Sequence, residues 1–239
     1  MQKNNTNNTK IKKLEDSLIS KIAAGEVIER PASIVKELVE NSIDSGATQI
    51  TINVVKAGKS MISISDNGCG MTHDDAILSF ERHTTSKIQD VNDLFSINTL
   101  GFRGEALASI ASVSKIEMIT NTGDALATKI EIIGGKITNI TTAGAPKGTQ
   151  IKVENIFFNT PARKKYMKSD AVELEHIIDI LTRYALANSK IHFKFLSNNR
   201  EIIVTPGTDN LLSNIRNIYG KETEKNIIKI NSSVEDITV

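Results

Sequence analysis

The sequence predicts an α+β protein: a mixed, mostly antiparallel sheet with helices on one face. Two observations carry this. Short β-like runs follow one another across glycine turns, at 114–153 and again at 191–205. Several other stretches, the clearest at 31–45 and from Asp170 for about 19 residues, repeat apolar residues at helical spacing. No internal repeat is visible.

In chain order, residues 14–27 read as a short helix, with Leu18, Ile19, Ile22 and Ala23 at helical spacing. Pro31 opens a second helix to about Ser45, since proline suits a first turn whose N–H has no partner anyway, and Gly46 closes it. Ile50, Ile52 and Val54 alternate, as do Ile62 and Ile64, giving two strands around Ala57-Gly-Lys59. Thr72 and Asp75 approximate a capping box that starts a helix through about Arg82. Residues 83–102 have weak periodicity and read as a long functional loop of the lid kind. Helix resumes at 106–112. Strands follow at 114–120, 127–133, 136–142 and 149–153, separated by Gly123, Gly134-Gly135 and Gly144-Ala-Pro-Lys-Gly148. After the helix from Asp170, strands 191–196 and 201–205 pair around Ser197-Asn-Asn199. A helix over 209–219 ends at Gly220, and 221–239 holds the start of a strand pattern. A boundary is placed near Pro206.

Composition narrows the functional classes. The chain has 239 residues, 39% hydrophobic and 24% charged, with net charge +1. There is no global electrostatic pull toward nucleic acid or membrane, so any DNA contact must come from a local patch or an assembled dimer. No apolar run approaches the roughly 20 residues of a membrane span. A single cysteine, Cys69, excludes an internal disulfide and fits a reducing compartment. Residues 1–13 are rich in Asn, Thr and Lys and read as a disordered polar lead-in. The absence of Trp and an aromatic fraction of 4% argue against base-stacking recognition.

Three separated motifs suggest one nucleotide site. On the helix at 31–45, Ile34, Val35, Leu38, Val39, Ser42 and Ile43 fall on one half of the wheel and Glu37, Asn41 and Asp44 on the other. A solvated polar face explains this. So does a carboxylate, Glu37, that orients or deprotonates water, with an amide oxygen, Asn41, one turn on for a hard cation such as Mg²⁺. Asp66 follows a strand. It is either part of an Asp-Asn-Gly turn or a carboxylate for the exocyclic amine of a base, with Gly68 and Gly70 letting backbone approach the ring. Gly101 and Gly104 bracket a turn into the helix at 105–112, whose N–H groups suit phosphate oxygens. The spacing matches neither a Walker loop nor a dinucleotide fingerprint. Lys87 is a phosphate contact or a surface charge, and Thr149 a support beneath the site or part of a turn. Arg163, Lys164 and Lys165, with Lys168, form the densest basic cluster: a solvated loop or a DNA-backbone contact. The four histidines lack ligand spacing, so no zinc site is expected.

These strings, together with Ile22-Ala-Ala-Gly-Glu-Val-Ile-Glu-Arg-Pro-Ala-Ser33, Lys36-Glu-Leu-Val-Glu-Asn41, Asp66-Asn-Gly-Cys-Gly70, His83-Thr-Thr-Ser-Lys87, Gly101-Phe-Arg-Gly-Glu-Ala-Leu-Ala-Ser-Ile110 and Asn159-Thr-Pro-Ala-Arg163, resemble the N-terminal ATPase region of the MutL family of DNA mismatch repair proteins, within the GHKL ATPase superfamily. The resemblance implies a Bergerat-type two-layer α/β sandwich over 14–205. It implies Glu37 as general base, Asn41 as Mg²⁺ ligand and Asp66 as adenine contact. It also implies a lid around the phosphates formed by Thr85, Ser86, Lys87, Gly101, Phe102, Arg103, Gly104 and Glu105. Slow ATP hydrolysis, ATP-driven dimerisation of N-terminal regions, DNA binding with little sequence preference, MutS and a downstream nuclease or helicase as partners, and a bacterial cytoplasmic location at the nucleoid during repair are further implications. Residues 206–239 match the beginning of the family's ribosomal-protein-like transducer domain. That domain supplies a lysine to the γ-phosphate, for which this sequence shows no counterpart, so weak hydrolysis is expected. The alternative is a nucleotide-gated DNA-binding module with negligible hydrolysis.

Overall fold

The computed structural model describes residues 27–87, 103–124 and 126–228 without interruption, together with 15, 22, 24, 25, 90, 93 and 99–101 and the backbone of 233, 234, 237 and 238. The predicted lead-in at 1–13 and Phe102 lie outside the described residues. Of the predicted helix at 14–27, residues 15, 22, 24, 25 and 27 are described; Glu15 is not helical and the other four are.

Helix α1, Pro31–Asp44, begins at its proline and lays Ile34, Val35, Leu38 and Val39 into the core. Strands β1, Gln49–Val55, and β2, Met61–Asp66, pair antiparallel around the expected turn. Helix α2 is shorter than predicted, His73–Leu78. Beyond Leu78 the N–H groups of Phe80 and Glu81 turn to carbonyls three residues back, and Thr84 Oγ1 donates to the carbonyls of Leu78 and Glu81. That tightening stops the α-helix before Arg82. Then come α3, Ala106–Ser112, and β3 to β6 at Lys115–Asn121, Ala127–Ile133, Lys136–Ala143 and Gly148–Glu154. The basic cluster is a short helix, α4, Pro161–Tyr166, where a loop was expected. Its proline stands at the first position, as in α1. Helix α5 is Asp170–Ala187, followed by β7, His192–Ser197, and β8, Arg200–Val204. Helix α6, Leu211–Tyr219, is followed by a helix not foreseen, α7, Lys221–Lys225, and by a two-residue strand pair, β9 Ser233–Val234 with β10 Ile237–Thr238.

Eight strands form one sheet in the order β5-β4-β3-β6-β2-β1-β7-β8. Every pairing is antiparallel except β1 with β7, which is parallel. Alternate residues supply one buried face: Ile50, Ile52 and Val54, then Ile62 and Ile64, Ile116 and Met118, Ile130 and Ile132, Ile151 and Val153, Phe193 and Phe195. These join α1 and the Ile177, Leu181 and Ala185 stripe of α5 in a single core. On the other face Glu117 stands directly across from Glu131, and Lys129 bridges the two at 2.8 and 3.0 Å. Exposed pairs of this kind contribute about 0–1 kcal/mol, so the buried face holds the layers together. Among the described residues no helix is long and apolar enough to cross a membrane.

Phe195, on β7, is 1% exposed within this core. Phe195→Ala is expected to lower stability by about 3–5 kcal/mol, measured by urea unfolding. A loss below about 1 kcal/mol would contradict the packing described.

Candidate functional site

Helix α1 organises the site. Its apolar stripe faces the sheet, so the turns bearing Glu37, Asn41 and Asp44 lie away from the core. At the first of these, Lys36 Nζ bridges Glu37 Oε1 at 3.1 Å and the Glu40 carboxylate at 3.0 Å. Glu40 is 6% exposed and also accepts a hydrogen bond from the Tyr184 hydroxyl on α5. Burial, then the bond to Glu40, pushes the Tyr184 hydroxyl far above its ordinary range, so it stays protonated and donates. For Lys36, burial works against the charge. The bonds and charges of Glu40 and Glu37 outweigh it and raise its proton affinity.

One turn further, adjacent residues of α1 reach two different neighbours. Ser42 Oγ donates to Asp66 Oδ2 at 2.8 Å, while Asn41 Oδ1 accepts from Lys87 Nζ at 2.9 Å. Asp66 ends β2 and its Oδ1 accepts from Gly68 N at 2.9 Å and Thr149 N at 3.2 Å. Burial raises the proton affinity of Asp66, and these three neutral donors pull against it without cancelling it. Thr149 is held in turn by Thr120, the two hydroxyls lying 2.9 Å apart. Gly70 has an internal reason to be glycine. Its φ is +70°, and a Cβ there would lie 2.0 Å from the Asn121 carbonyl oxygen.

Lys87 also meets Asp44, at 2.6 Å. The same carboxylate accepts from Leu100 N at 3.0 Å and Gly101 N at 3.1 Å. Thr85 Oγ1 accepts from Lys87 N at 3.1 Å. His83 N donates to the Gly104 carbonyl at 3.0 Å, and His83 Nδ1 lies 3.3 Å from Glu105 Oε1. A Cβ at Gly104, whose φ is +64°, would press 2.4 Å from the Thr84 carbonyl oxygen. Ser86 and Arg103 are exposed. The structure therefore brings Asn41, Lys87 and Gly101 into one cluster and joins it to Asp66 and Thr149 through one turn of α1. The basic cluster lies apart: Arg163 turns inward to the Ile22 carbonyl at 3.4 Å, while Lys164 and Lys165 are exposed.

Among the described residues no group of three or more His, Cys, Asp or Glu lies together. A soft-metal or zinc centre has no ligand set there. Asn41 Oδ1 and Asp44 Oδ2 do fit a hard cation that keeps several waters: both are oxygens, and both already hold an ammonium.

Sequence reasoning did not single out Ser42, Thr120, Glu40 or Tyr184, and left Asp44 without a role. Ser42 was a hydroxyl within an Ile/Val/Leu stripe, which is itself a signal that something polar lies beneath. Tyr184 stands 144 positions from Glu40, beyond any local pattern.

A family model described as histidine kinase-, DNA gyrase B- and HSP90-like ATPase matches residues 28–156. The chain is 50% identical over 230 residues to the DNA mismatch repair protein MutL of Geobacillus sp. (strain WCH70), covering 96% of this chain and 37% of that protein. It is 51% identical over 230 residues to MutL of Bacillus mycoides (strain KBAB4), covering 96% of this chain and 36% of that one. The chain thus spans little over a third of the length of these curated relatives. Among solved structures it is similar to the Aquifex aeolicus MutL ATPase domain complexed with ADP, with TM-score 0.66, 30% identity and 81% and 70% of the two chains covered. It is also similar to the N-terminal domain of a DNA repair protein, with TM-score 0.77, 31% identity and 90% and 64% covered.

A carboxyl whose proton affinity is raised by folding contributes stability below its unfolded pKa and loses it as pH rises through the folded one. Asp66 is such a group. The stability of Asp66→Asn relative to wild type is therefore expected to improve as pH rises through the carboxylate range toward neutrality. Unfolding in urea across a pH series measures this, and a difference that moves the other way refutes it.

Proposed function

The chain belongs to the histidine kinase-, DNA gyrase B- and HSP90-like ATPase family, and from that premise we propose that it is the nucleotide-binding region of a DNA mismatch repair protein, one that binds ATP with Mg²⁺ and hydrolyses it slowly. One observation supports this above the others. Consecutive residues of α1 join two unlike subsites, with Ser42 on the acceptor-rich side at Asp66 and Asn41 on the cationic side at Lys87. A base with an exocyclic amine suits the first and a chain of phosphates the second.

Asp66 accepts the exocyclic amino proton of adenine on its Oδ2, which carries a single protein donor. Thr149, Gly68 and Gly70 frame the ring. Lys87 and the backbone N–H groups of Gly104 and Glu105 meet phosphate oxygens, with Thr85, Ser86, Gly101 and Arg103 completing that wall. Asn41 would hold Mg²⁺, which would offset the charge of the phosphates when bound. Glu37 orients a water and takes its proton as the water oxygen bonds to the γ-phosphorus. The bond from that phosphorus to the β–γ bridging oxygen breaks, leaving ADP and inorganic phosphate. Lys36, shared between Glu37 and Glu40, keeps the base from being paired by a full charge of its own.

We place the boundary of the nucleotide unit at 205, the last residue bonded into the sheet, with Thr205 N donating to the Phe193 carbonyl. Residues 206–239 then open the next domain. In the longer protein, ATP-driven dimerisation of such regions and contact with DNA, MutS and a downstream nuclease or helicase in the bacterial cytoplasm complete the proposal. Lys164 and Lys165 on α4 are the DNA-backbone candidates.

Glu37→Ala is expected to bind nucleotide as wild type does while single-turnover hydrolysis falls by about 10²–10⁴-fold; undiminished turnover would remove Glu37 from the mechanism. Asp66→Asn is expected to abolish nucleotide binding measured by calorimetry. For DNA, Lys164→Gln with Lys165→Gln is expected to reduce the slope of log affinity against log salt by about two. An unchanged slope places the DNA contact elsewhere.

A further inference from the structure

Two residues given separate duties above are bonded to each other. Asn41 Oδ1, the oxygen assigned to the metal, already accepts from Lys87 Nζ at 2.9 Å. Lys87, assigned to phosphate, spends its ammonium on Asn41 and on Asp44, 2.6 Å away. While this contact stands, two of the three ammonium N–H groups are used and the amide oxygen faces a positive charge. A divalent ion and an ammonium sharing one amide oxygen would sit within a few ångströms of each other, where like charges repel strongly out of water.

Asp44 explains why the contact exists. Its side chain is 7% exposed and that of Lys87 19%. A carboxylate so far out of water is costly without a counter-charge. Its other partners, the N–H groups of Leu100 and Gly101, are neutral. They do hold the carboxylate in place independently of Lys87, so its position survives a change of cation. The arrangement is a seat for one positive charge, made of an amide oxygen and a fixed carboxylate, with an ammonium in it.

We propose that Asn41 and Asp44 together form the cation seat of this site, and that Lys87 is its resident occupant, displaced when a divalent ion binds. The Asp44 carboxylate then has a counter-charge in both states, first from Lys87 and afterwards from the metal, whose remaining positive charge faces the phosphates. The displaced ammonium becomes available to phosphate only once the metal has arrived, which gives loading an order. Asp44 acts here as a positioning residue through the cations it holds. The inference rests on the assignment of Asn41 to the metal, and its test involves no nucleotide, so its failure is separable from a failure of nucleotide binding.

The probe is Mn²⁺ alone, with the free ion measured by electron paramagnetic resonance. Removing the competitor in Lys87→Met is expected to tighten binding of one Mn²⁺ by about tenfold, and adding Asp44→Asn to that variant is expected to abolish the gain. Lys87→Met binding no tighter than wild type overturns the proposal, as does a gain that survives Asp44→Asn. A second measurement needs no substitution. Labelling of wild-type lysines with an amine reagent, mapped by mass spectrometry, is expected to rise several-fold at Lys87 on saturation with Mg²⁺. Lys36, which is paired with Glu37 and Glu40, should stay unchanged. Labelling of Lys87 that is unaffected or slowed by Mg²⁺ refutes displacement.

Discussion

The apolar stripe of α1 lying against the sheet is the constraint on which the site depends. Ile34, Val35, Leu38 and Val39 are each 2% exposed or less. Burying four such side chains contributes roughly 1.5–3 kcal/mol each before the cost of ordering is subtracted. That burial fixes both the rotation and the height of the helix. Rotation decides that Glu37, Asn41 and Asp44 face away from the core. Height decides that Ser42 meets the last residue of β2. A helix turned by one residue, about 100°, would break both sets of contacts together.

Around α1 the charged groups are distributed by a consistent rule. Glu40 is buried and is matched by Lys36 and by a tyrosine that remains protonated. Asp44 is buried and is matched by Lys87. Asp66 departs from the rule. Its donors are a serine hydroxyl and two backbone N–H groups, none of them charged, and burial raises its proton affinity as a result. A fold selected only for stability would place a neutral side chain there. A carboxylate where it is disfavoured, with acceptor capacity to spare, is what a ligand-binding position calls for, and this supports the proposed role of Asp66. The proposed adenine contact is therefore at the residue whose environment suits it least as a free carboxylate.

The two ends of the candidate site differ in how they are built. The Asp66 end stands on the sheet: β2 and β6 are paired residue for residue, with Asp66 opposite Thr149, and Thr120 on β3 ties in from the next strand. The Lys87 end stands on described residues without regular structure, tied to α1 through the side chains of Asn41 and Asp44. A scaffolded end suits a rigid planar base. An end tied through two side chains suits contacts that must be remade as a ligand and its metal arrive.

What the sequence by itself determined is what depends on near neighbours in the chain. Alternation placed the first two strands and β-like runs between turns the other six, helical spacing placed α1 and α5, and Pro31 with Gly46 bounded α1, because period, turns and capping are local properties. The polar half of α1 and the Asp66 turn were legible for the same reason. Only the tertiary structure decided the rest. The parallel pairing of β1 with β7 joins strands more than a hundred positions apart, and no local pattern encodes a partner at that distance. Helix α4 was read as a loop because six residues carry too little periodicity to register. Asp44 looked like one more polar residue on a wet face until the chain brought Lys87, Leu100 and Gly101 to it. Its meaning lies in a convergence of segments far apart in sequence, and such a convergence exists only once the core has fixed where each of them passes.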